Sequence, residues 1–356
     1  MDTVTSFLAA GRERLALDRY GLDDSISCVA VTPRFRASAH VVVLVLAGND
    51  PEPVLVAKLP RLRSGAGSIL REAENLRLLH EHGGDVSRLV PQVVACEEYR
   101  GWPLLLETAL VGRPVDPVMV RRTPDRCCER MVDWLENLGI DGAPGADPDW
   151  FDRHANAPLR AFLDTFPVSI DEAKALERMR ARLIPLADTP LPTGFEHGDL
   201  SHPNIIELAG DSVGVIDWEV ADPRGLPLCD LYFFLTYVAF ARAGAGTGGG
   251  HIKAFHEAFF GRDAWARPYV AAYARRTGVP DEALTPLFLL CWLRCLSRFL
   301  VRLTGPVQPG MRVSASVASW LRENRYYELW RHAVEHATEL DWAESVDHAE
   351  MARPGA

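Results

Sequence analysis

Cysteine pairs are missing from this 356-residue sequence. Its seven cysteines are an odd number, and none of them forms a C-x-x-C pair. The sequence therefore predicts neither a disulfide framework nor a zinc site with four suitably spaced ligands. Cysteines that serve as small apolar residues are typical of a reduced chain, so we expect a cytoplasmic protein.

A basic charge excess is also missing, and we expect neither a leader segment nor a membrane span. The formal net charge is −10 at pH 7, which argues against a nucleic-acid surface because phosphate backbones recruit basic patches. Residues 1–4 lack a basic segment and an apolar core, so we expect no signal peptide. The longest apolar stretches fall short of a membrane span, so we expect no membrane contact.

A hairpin pattern stands near the middle of the chain. Two short apolar runs, residues 205–208 and 213–216, flank a turn-forming segment at 209–212. This pattern predicts a β-hairpin, in which the residue before the first strand, Asn204, lies beside the residue after the second strand, Asp217. An amide oxygen and a carboxylate are hard oxygen ligands, so the hairpin predicts a Mg²⁺ site bridged to nucleotide phosphates.

A second carboxylate, Asp199, precedes this hairpin in the run His197-Gly198-Asp199-Leu200-Ser201-His202-Pro203-Asn204. Phosphoryl transfer needs a carboxylate that accepts the proton of the attacking hydroxyl, and Asp199 is placed one loop before the predicted metal site. His197 is predicted to support the loop, because the proton acceptor already follows two residues later. His202 keeps two interpretations, a solvent-facing loop residue or a contact to the acceptor.

One lysine, Lys58, lies on the apolar face of a predicted strand. A lysine held on such a face is costly unless it is paired. The helix predicted over residues 68–82 offers a partner, because at about 100° per residue Glu72 borders its buried face and Glu74 points away. We therefore expect Lys58 to pair with Glu72; the alternative is an edge-strand lysine that discourages aggregation.

The motifs at residues 197–204 and at Ile216-Asp217-Trp218-Glu219 resemble the signatures of the aminoglycoside phosphotransferase and choline kinase-like family, small-molecule relatives of the protein kinases. The resemblance is specific over residues 196–231 and rests elsewhere on the order of elements. It implies an α+β, bilobal protein-kinase-like fold. The N lobe would be an antiparallel sheet plus a helix over residues 1–108. The C lobe over 109–356 would be mostly helical and carry the catalytic hairpin.

The resemblance also implies roles for single residues. Asp199 resembles the catalytic base of the family, and Asn204 and Asp217 resemble its Mg²⁺ ligands. Lys58 resembles the strand lysine that holds the α- and β-phosphates of ATP or GTP. Asp230 resembles an aspartate that braces the catalytic loop. One departure concerns the subfamily more than the chemistry, since Ser-His-Pro precedes Asn204 where the commoner family loop has His-Pro-Gly.

The rest of the nucleotide site is implied more loosely. Val56 would pack on the base, and Ser38 would contact the phosphates from the link at residues 32–39. The base would hydrogen-bond to backbone groups near Glu107 and Ala109. The link lacks the glycines of a protein-kinase loop, as is usual in the family.

Two segments keep open interpretations. The glycine-rich run at residues 243–250 lacks G-K-[ST] and so is no phosphate-binding P-loop. It is interpreted as a flexible connector, with a mobile flap over the acceptor as the alternative. The carboxylates between residues 335 and 350 either form a solvated face or line a cationic acceptor site, as in the resembled family.

These observations predict an enzyme that transfers the γ-phosphoryl group of ATP or GTP, with Mg²⁺, to a hydroxyl of a small molecule. The chain is rich in Ala and Arg and poor in Lys, which suggests a high-GC bacterium and favours an antibiotic-like acceptor over choline, homoserine or a sugar. A nucleotide-binding pseudokinase without turnover is an alternative, against which the intact residue set counts. The preference for ATP or GTP, the hydroxyl that is modified and the oligomeric state are left open.

Overall fold

The computed structural model describes residues 2–22, 25–31, 40–48, 50–82, 84–139, 147–245, 249–304, 312–340 and 342. The chain divides into two compact units. The first unit comprises Met1–Val115 and Pro203–Ala221, and the second comprises Asp116–His202 and Asp222–Ala356. The predicted boundary at 108/109 thus lies slightly upstream of the observed one, and the hairpin expected in the C lobe belongs to the first unit.

In chain order, the strands of the described residues are β1 (Ile26–Val31), β2 (His40–Ala47), β3 (Pro53–Pro60), β4 (Val93–Tyr99), β5 (Trp102–Thr108), β6 (Arg113–Pro114), β7 (Gly194–Glu196), β8 (Ile205–Glu207), β9 (Val213–Val215) and β10 (Asp222–Gly225). Their α-helices are α1 (Asp2–Ala10), α2 (Ala66–His82), α3 (Pro117–Arg122), α4 (Pro124–Leu138), α5 (Ala157–Thr165), α6 (Ile170–Leu183), α7 (Cys229–Ala243), α8 (His251–Phe259), α9 (Arg267–Thr277), α10 (Asp281–Thr304), α11 (Ala315–Arg322) and α12 (Arg325–Glu335). Most strands lie in the first unit and most helices in the second, so the predicted α+β class is confirmed.

An antiparallel five-stranded sheet forms the centre of the first unit, in the order β1-β2-β3-β5-β4. Successive side chains of a strand point to opposite faces. Leu104 and Leu106 of β5 accordingly pack into one core with Phe7 of α1, while Leu105 packs with Ile69 of α2. The predicted N-lobe elements, a sheet and its helix, are therefore present, with α1 added on the other face.

The hairpin of the first unit is formed by β8 and β9, which pair Ile205 with Val215. β6 pairs with the outer edge of β8. Gly112 is required there, because a side chain at this position would collide with the carbonyl oxygen of Glu207. Beyond β9, the side chain of Asn75 in α2 donates to the carbonyl oxygens of Trp218 at 2.9 Å and Ala221 at 3.1 Å. These bonds fasten the end of the hairpin segment to the helix, which explains why it belongs to the first unit.

The second unit is built around α7 and α10. Most of α7 is buried. The ring of Phe255 in α8 stacks on Phe288 of α10 with 5.6 Å between centroids, and it meets Trp292 edge-on at 5.3 Å. On the other side, Trp330 of α12 packs near Phe162 of α5, with centroids 6.2 Å apart. Aromatic packing between helices thus supplies much of this core.

Two helices predicted as continuous are divided. Apolar residues recur at roughly helical intervals over residues 1–20, which predicts one opening helix. In the structure this helix ends at Ala10, and a single turn follows at Leu17–Tyr20. Apolar residues at helical spacing also predict helix over residues 150–188. This region is interrupted between α5 and α6, where Pro167 disfavours the helical conformation of the residue before it. A capping box formed by Ser169 and Glu172 then starts α6.

One helix of the described residues, α10, is long and apolar enough to cross a membrane by length and composition. The expectation that the apolar stretches fall well short of such a length is therefore wrong for this helix. Of its most apolar stretch, 72% is buried in the structure. A helix buried on nearly all sides is apolar all round, so core packing accounts for its composition.

Candidate functional site

Lys58 is the centre of a buried charge cluster in the first unit. Its side chain lies on β3, and its register partner on β5 is Leu105. The ammonium group forms an ion pair with Glu72, as expected from the position of Glu72 on α2. It also lies 3.1 Å from Oε1 of Glu107 and 3.9 Å from Oδ1 of Asp217. One buried cation therefore faces three carboxylates.

The pKa values in this cluster show an excess of negative charge. Burial alone would lower the pKa of Lys58, but the carboxylates of Glu107, Glu72 and Asp217 outweigh it and raise the pKa above its ordinary value. Burial raises the pKa of Glu72 to about 8, with repulsion from the neighbouring carboxylates added and Lys58 acting in the opposite direction. Burial likewise raises the pKa of Glu107. The cluster thus holds Lys58 charged and lacks positive charge for the carboxylates.

Two oxygens of the cluster support this conclusion. Within the described part of the chain, Oε2 of Glu72 and Oε2 of Glu107 are buried and have no hydrogen-bond partner. The other oxygen of Glu72 accepts a bond of 3.1 Å from the backbone N–H of Trp218. Buried oxygens without donors are rare and costly. An additional cation beside Asp217 would neutralise part of the negative charge of this cluster.

Asn204 and Asp217 meet at the open end of the hairpin. The N–H of Ile216 donates to the backbone oxygen of Asn204 at 3.0 Å, so the two ends of the hairpin lie side by side as expected. Asp217 has a φ of 71°, a left-handed conformation that Asp adopts more readily than most residues. This turn of the backbone takes Asp217 out of the strand, and its side chain is 36% exposed.

Sequence reasoning missed two partners of this end of the hairpin, His40 and Glu219. Their facing atoms, Nε2 and Oε2, lie 3.3 Å apart, and Nε2 of His40 is 2.7 Å from Oγ of Ser68. Donor atoms of His40, Asp217 and Glu219 all lie within 4.8 Å of one another. The signal for Glu219 was its place in the motif two residues after Asp217, whereas His40 stands alone in an apolar strand.

The donors at this point suit a magnesium ion. Mg²⁺ prefers oxygen ligands and keeps several waters, so Asn204, Asp217 and Glu219 match its chemistry better than the imidazole does. Nε2 of His40 faces Oε2 of Glu219 and can orient this carboxylate, as residues that hydrogen-bond to metal ligands commonly do. The residues present therefore fit the metal that the sequence predicted.

The predicted catalytic loop, residues 197–202, belongs to the second unit, and Asp230 binds its backbone. Its carboxylate oxygens accept the N–H of His197 at 2.6 Å and the N–H of Gly198 at 2.8 Å. Burial, with the nearby Glu196, raises the pKa of Asp230 to about 7, while the two donors act in the opposite direction. His197 in turn accepts the N–H of Asp199 on Nδ1 at 3.2 Å. Asp230 and His197 thus fix the backbone that carries Asp199.

Two arginines of α10, the buried Arg294 and the partly exposed Arg298, hold the same loop. Arg298 donates to the carbonyl oxygen of Gly198 at 3.1 Å and to Glu196 at 2.7 Å. Arg294 donates to the other oxygen of Glu196 at 2.7 Å. Burial opposes the charge on Glu196, but the two guanidinium groups prevail and lower the pKa of this carboxyl below its ordinary value. Sequence reasoning missed all three residues, although two arginines at i and i+4 in an apolar helix signal a buried partner.

Aromatic side chains lie near Asp199 in the second unit. The hydroxyls of Tyr237 and Tyr326 are 3.1 Å apart, and burial raises the pKa of Tyr237, with a contribution from the negative charge of Asp199. The ring of His202 packs 5.8 Å from that of Tyr237. Burial lowers the pKa of His202, so this ring is neutral at pH 7. His202 is thus half-buried against an aromatic partner, and its contact to an acceptor stays a prediction.

The remaining predicted nucleotide contacts have mixed outcomes. Ser38 lies outside the described residues, and Val56 is half-buried opposite Glu107 in the β3–β5 register. The N–H of Ala109 donates to Val54 at 3.1 Å and that of Thr108 donates to Gln92 at 2.9 Å. Because those two N–H groups already donate to backbone oxygens, the predicted base contacts at this segment would use its carbonyl groups.

The acidic C-terminal segment and the glycine-rich run are described only in part. Glu335 pairs with Arg331, and Glu339 lies 2.6 Å from Nδ1 of His336. The other carboxylates of that set, and residues 246–248 of the glycine-rich run, lie outside the described residues. Asp199 lies in the second unit while Asn204 and Asp217 lie in the first. Their convergence on one substrate stays a prediction.

Known proteins resemble this chain in sequence pattern and in fold. The sequence model of the phosphotransferase enzyme family (APH) matches residues 34–274. No curated protein sequence matches the chain. The solved structure of the GDP complex of wild-type aminoglycoside 2'-phosphotransferase-IIIa is similar with a TM-score of 0.54 and 15% identity, over 92% of this chain and 98% of that one.

Two further solved structures show a comparable likeness. Choline kinase LicA from Streptococcus pneumoniae has a TM-score of 0.53 and 12% identity, over 92% of this chain and 99% of that one. A thermostable mutant of APH(4)-Ia in a ternary complex with ADP and hygromycin B has a TM-score of 0.51 and 12% identity, over 90% and 98%. At these identities the likeness shows the kinase-like fold alone.

Proposed function

Because the chain belongs to the phosphotransferase enzyme family and is a small-molecule phosphotransferase, we propose that it moves the γ-phosphoryl group of ATP or GTP to a hydroxyl of an antibiotic-like natural product. The observation that carries this proposal is the cluster of Lys58, Glu72 and Asp217 beside the end of the hairpin. It combines a fixed ammonium with more carboxylates than one ammonium can neutralise, as a site for a Mg²⁺–triphosphate requires. The proposed place of action is the cytoplasm.

In the first unit, the residues bind and orient the donor nucleotide. Lys58 contacts the α- and β-phosphates, and Glu72 with Glu107 fixes the direction of its ammonium group. Asn204, Asp217 and Glu219 would hold Mg²⁺. When bound, Mg²⁺ offsets the negative charge of the phosphate oxygens.

In the second unit, Asp199 receives the acceptor. Its carboxylate accepts the hydroxyl proton as the hydroxyl oxygen bonds to the γ-phosphorus. The bond from that phosphorus to the β–γ bridging oxygen breaks, and the nucleoside diphosphate leaves with that oxygen. Asp230, His197 and Arg298 hold the loop in place, so that Asp199 meets the hydroxyl in a fixed orientation.

The surroundings of Asp199 favour an acceptor with an apolar face. Tyr237 and Tyr326 lie near it. The ring of Tyr326 contacts that of Phe299, with 5.7 Å between their centroids. Phe299 stacks on Trp320 at 5.6 Å, and Trp320 is 48% exposed. Two ring contacts thus connect the tyrosines near Asp199 to an exposed aromatic side chain, and such a row of rings suits a large, partly apolar natural product better than a small sugar.

The same aromatic residues support a second candidate, a metabolic kinase for a quaternary ammonium alcohol such as choline. Aromatic faces attract such cations, and the net charge of −10 is compatible with a cationic acceptor. The two candidates differ in acceptor size. A choline-like acceptor needs only the two tyrosines, whereas a larger product would also cover Trp320.

The test is a panel of acceptors incubated with the purified full chain, Mg²⁺ and either ATP or GTP. Mass spectrometry would detect an acceptor that gains one phosphoryl group. We expect a product from at least one antibiotic class, and Trp320→Ala should raise the KM for that acceptor about tenfold. Phosphorylation of choline alone would establish the second candidate. Nucleotide binding without any phosphorylated acceptor would favour a pseudokinase instead.

A further inference from the structure

Three histidines and a glutamate gather on one face of the second unit, in a place that the proposed function does not use. His256 lies on α8, His332 on α12, and His336 and Glu339 follow at the end of α12. His332 and His336 are one helical turn apart and so project from the same side of α12. Sequence reasoning did not single them out.

The atoms of this histidine cluster are close enough to share a ligand. Nδ1 of His336 is 2.6 Å from Oε1 of Glu339, and Nε2 of His256 is 3.9 Å from Oε2 of Glu339. Ligand atoms of these three residues all lie within 4.8 Å of one another. In a tetrahedral zinc site the ligand atoms are roughly 3.4 Å apart, from metal–ligand bonds of about 2.1 Å. Small rotations of the partly exposed side chains would bring the observed separations to the spacing of a tetrahedral site.

His332 stands behind this trio in the position of an outer partner. Its Nε2 lies 3.1 Å from Nδ1 of His256, which leaves Nε2 of His256 facing Glu339. A metal-binding histidine usually makes such a bond with its other nitrogen, and the bond fixes the ring and its tautomer.

The cluster is open to solvent on one side and rigid on the other. The side chains of His256, His336 and Glu339 are 38%, 37% and 44% exposed. Behind them, the ring of Phe260 stacks on His256 at 5.2 Å and meets His332 edge-on at 5.2 Å. The open side admits an ion with its water, and the packed side keeps the imidazoles in place.

We propose that His256, His336 and Glu339 bind a divalent transition metal of the zinc class, with water in the fourth position and His332 as the positioning residue of His256. Two imidazoles and a carboxylate match the ligand preference of zinc and differ from the oxygen donors at the hairpin. The ion would tie α8 to the segment after α12.

Hydrolytic chemistry is not part of this proposal. The run from His332 to His336 has the H-x-x-E-H spacing found in a class of zinc proteases, where the glutamate acts as a base. Here the carboxylate of Glu335 pairs with Arg331 instead. The proposed site is therefore structural. It shares no residue with the phosphotransfer site, so each proposal can fail while the other stands.

The experiment is a Zn²⁺ titration of the tag-free full chain after chelation of any metal. Isothermal titration should give one Zn²⁺ per chain at this site, and Co²⁺ should give the visible absorption bands of a tetrahedral complex. His256→Gln and His336→Gln should each weaken this binding by about 100-fold or more, and His332→Gln by about 10- to 100-fold with the same stoichiometry. Glu339→Gln, which changes an exposed side chain, should weaken it as well.

The matched control is His82→Gln, which replaces an exposed histidine of the first unit. It should bind Zn²⁺ like the wild type. Circular dichroism in the presence of a chelator would show that each variant is folded. The proposal would be overturned by a wild type that binds no Zn²⁺ at micromolar concentration. Unchanged Zn²⁺ binding in folded Glu339→Gln and His336→Gln would overturn it too, since the ion would then lie elsewhere.

Discussion

Glu172→Gln should destabilise the second unit by an amount that depends on pH. Glu172 accepts the N–H of Ser169 at 2.6 Å and two bonds from Arg322, at 2.7 Å and 2.9 Å. The hydroxyl of Tyr327 adds a further bond at 2.5 Å. Glu172 thus caps α6 and joins it to the end of α11 and to α12. A glutamine cannot reproduce the charge that these donors face.

The magnitude follows from the pKa of Glu172. Burial opposes its charge, but the bonds from Arg322, Ser169 and Tyr327 prevail and lower the pKa from 4.5 to about 2. A shift of this size corresponds to at most roughly 3.4 kcal/mol. Solvent around the partly exposed Arg322 screens the pair, so we expect about 2 kcal/mol at pH 7. The folded-state pKa lies below the unfolded one, so this stabilisation is complete above about pH 4.5 and is lost as the pH falls towards 2.

The assay is urea unfolding of the wild type and of Glu172→Gln, followed by tryptophan fluorescence at pH 7 and at several pH values below 4.5. Glu177→Gln is the matched control, since Glu177 is exposed on the same helix. At pH 7 only Glu172→Gln should have a lower free energy of unfolding than the wild type. This difference should become smaller as the pH falls below 4.5. Equal stability at pH 7, or a difference that persists at low pH, would refute the reasoning.

Three further predictions concern the site. Lys58→Met should lower the midpoint of thermal unfolding, because breaking a buried ion pair costs about 3–5 kcal/mol, and adding Glu72→Gln should recover part of the loss; a double variant less stable than the single one would contradict this. His40→Gln should raise the Mg²⁺ concentration needed for half-maximal turnover by about 10- to 100-fold, because Glu219 loses its orienting partner; an unchanged Mg²⁺ titration would remove His40 from that role. Arg298→Lys should lower kcat about tenfold with little change in the nucleotide KM, whereas Arg302→Lys, exposed one turn later on α10, should behave like the wild type; equal kcat in both variants would disprove the positioning role of Arg298.

Local patterns in the sequence were sufficient for several elements. The apolar positions within residues 124–138 predict a helix, and it coincides with α4, which has Pro124 in its first turn and ends before Gly139. The hairpin of β8 and β9 was visible from two apolar runs around a turn. The pairing of Lys58 with Glu72 followed from helical geometry. In each case residues close in sequence, or one regular helix, carried the information.

Contacts set by tertiary structure could not be predicted in the same way. Glu107 was expected to serve through its backbone, but the β3–β5 register places it opposite Val56, and its side chain reaches Lys58. No local sequence pattern predicts which residues of two paired strands lie opposite each other. The pairing of His40 with Glu219 likewise joins the start of β2 to the segment after β9.

One missed feature was present in the sequence. Ser169 and Glu172 have the spacing of a capping box, and Pro167 stands just before them, so a break in the region predicted as helical over 150–188 could have been found. The histidines of the cluster carried a weaker signal. His332 and His336 are at i and i+4, but His256 joins them only through the packing of α8 on α12.

The most direct test of the proposed phosphotransfer is the single turnover of Asp199→Asn with a saturating acceptor. Asparagine has nearly the same shape but cannot accept the hydroxyl proton, so we expect a folded protein that binds nucleotide normally and transfers phosphate at least about 100-fold more slowly. Nucleotide affinity from titration and transfer rate from rapid quench would be measured on the same preparation. A rate within a factor of two or three of the wild type would contradict the assignment of Asp199 and the mechanism built on it.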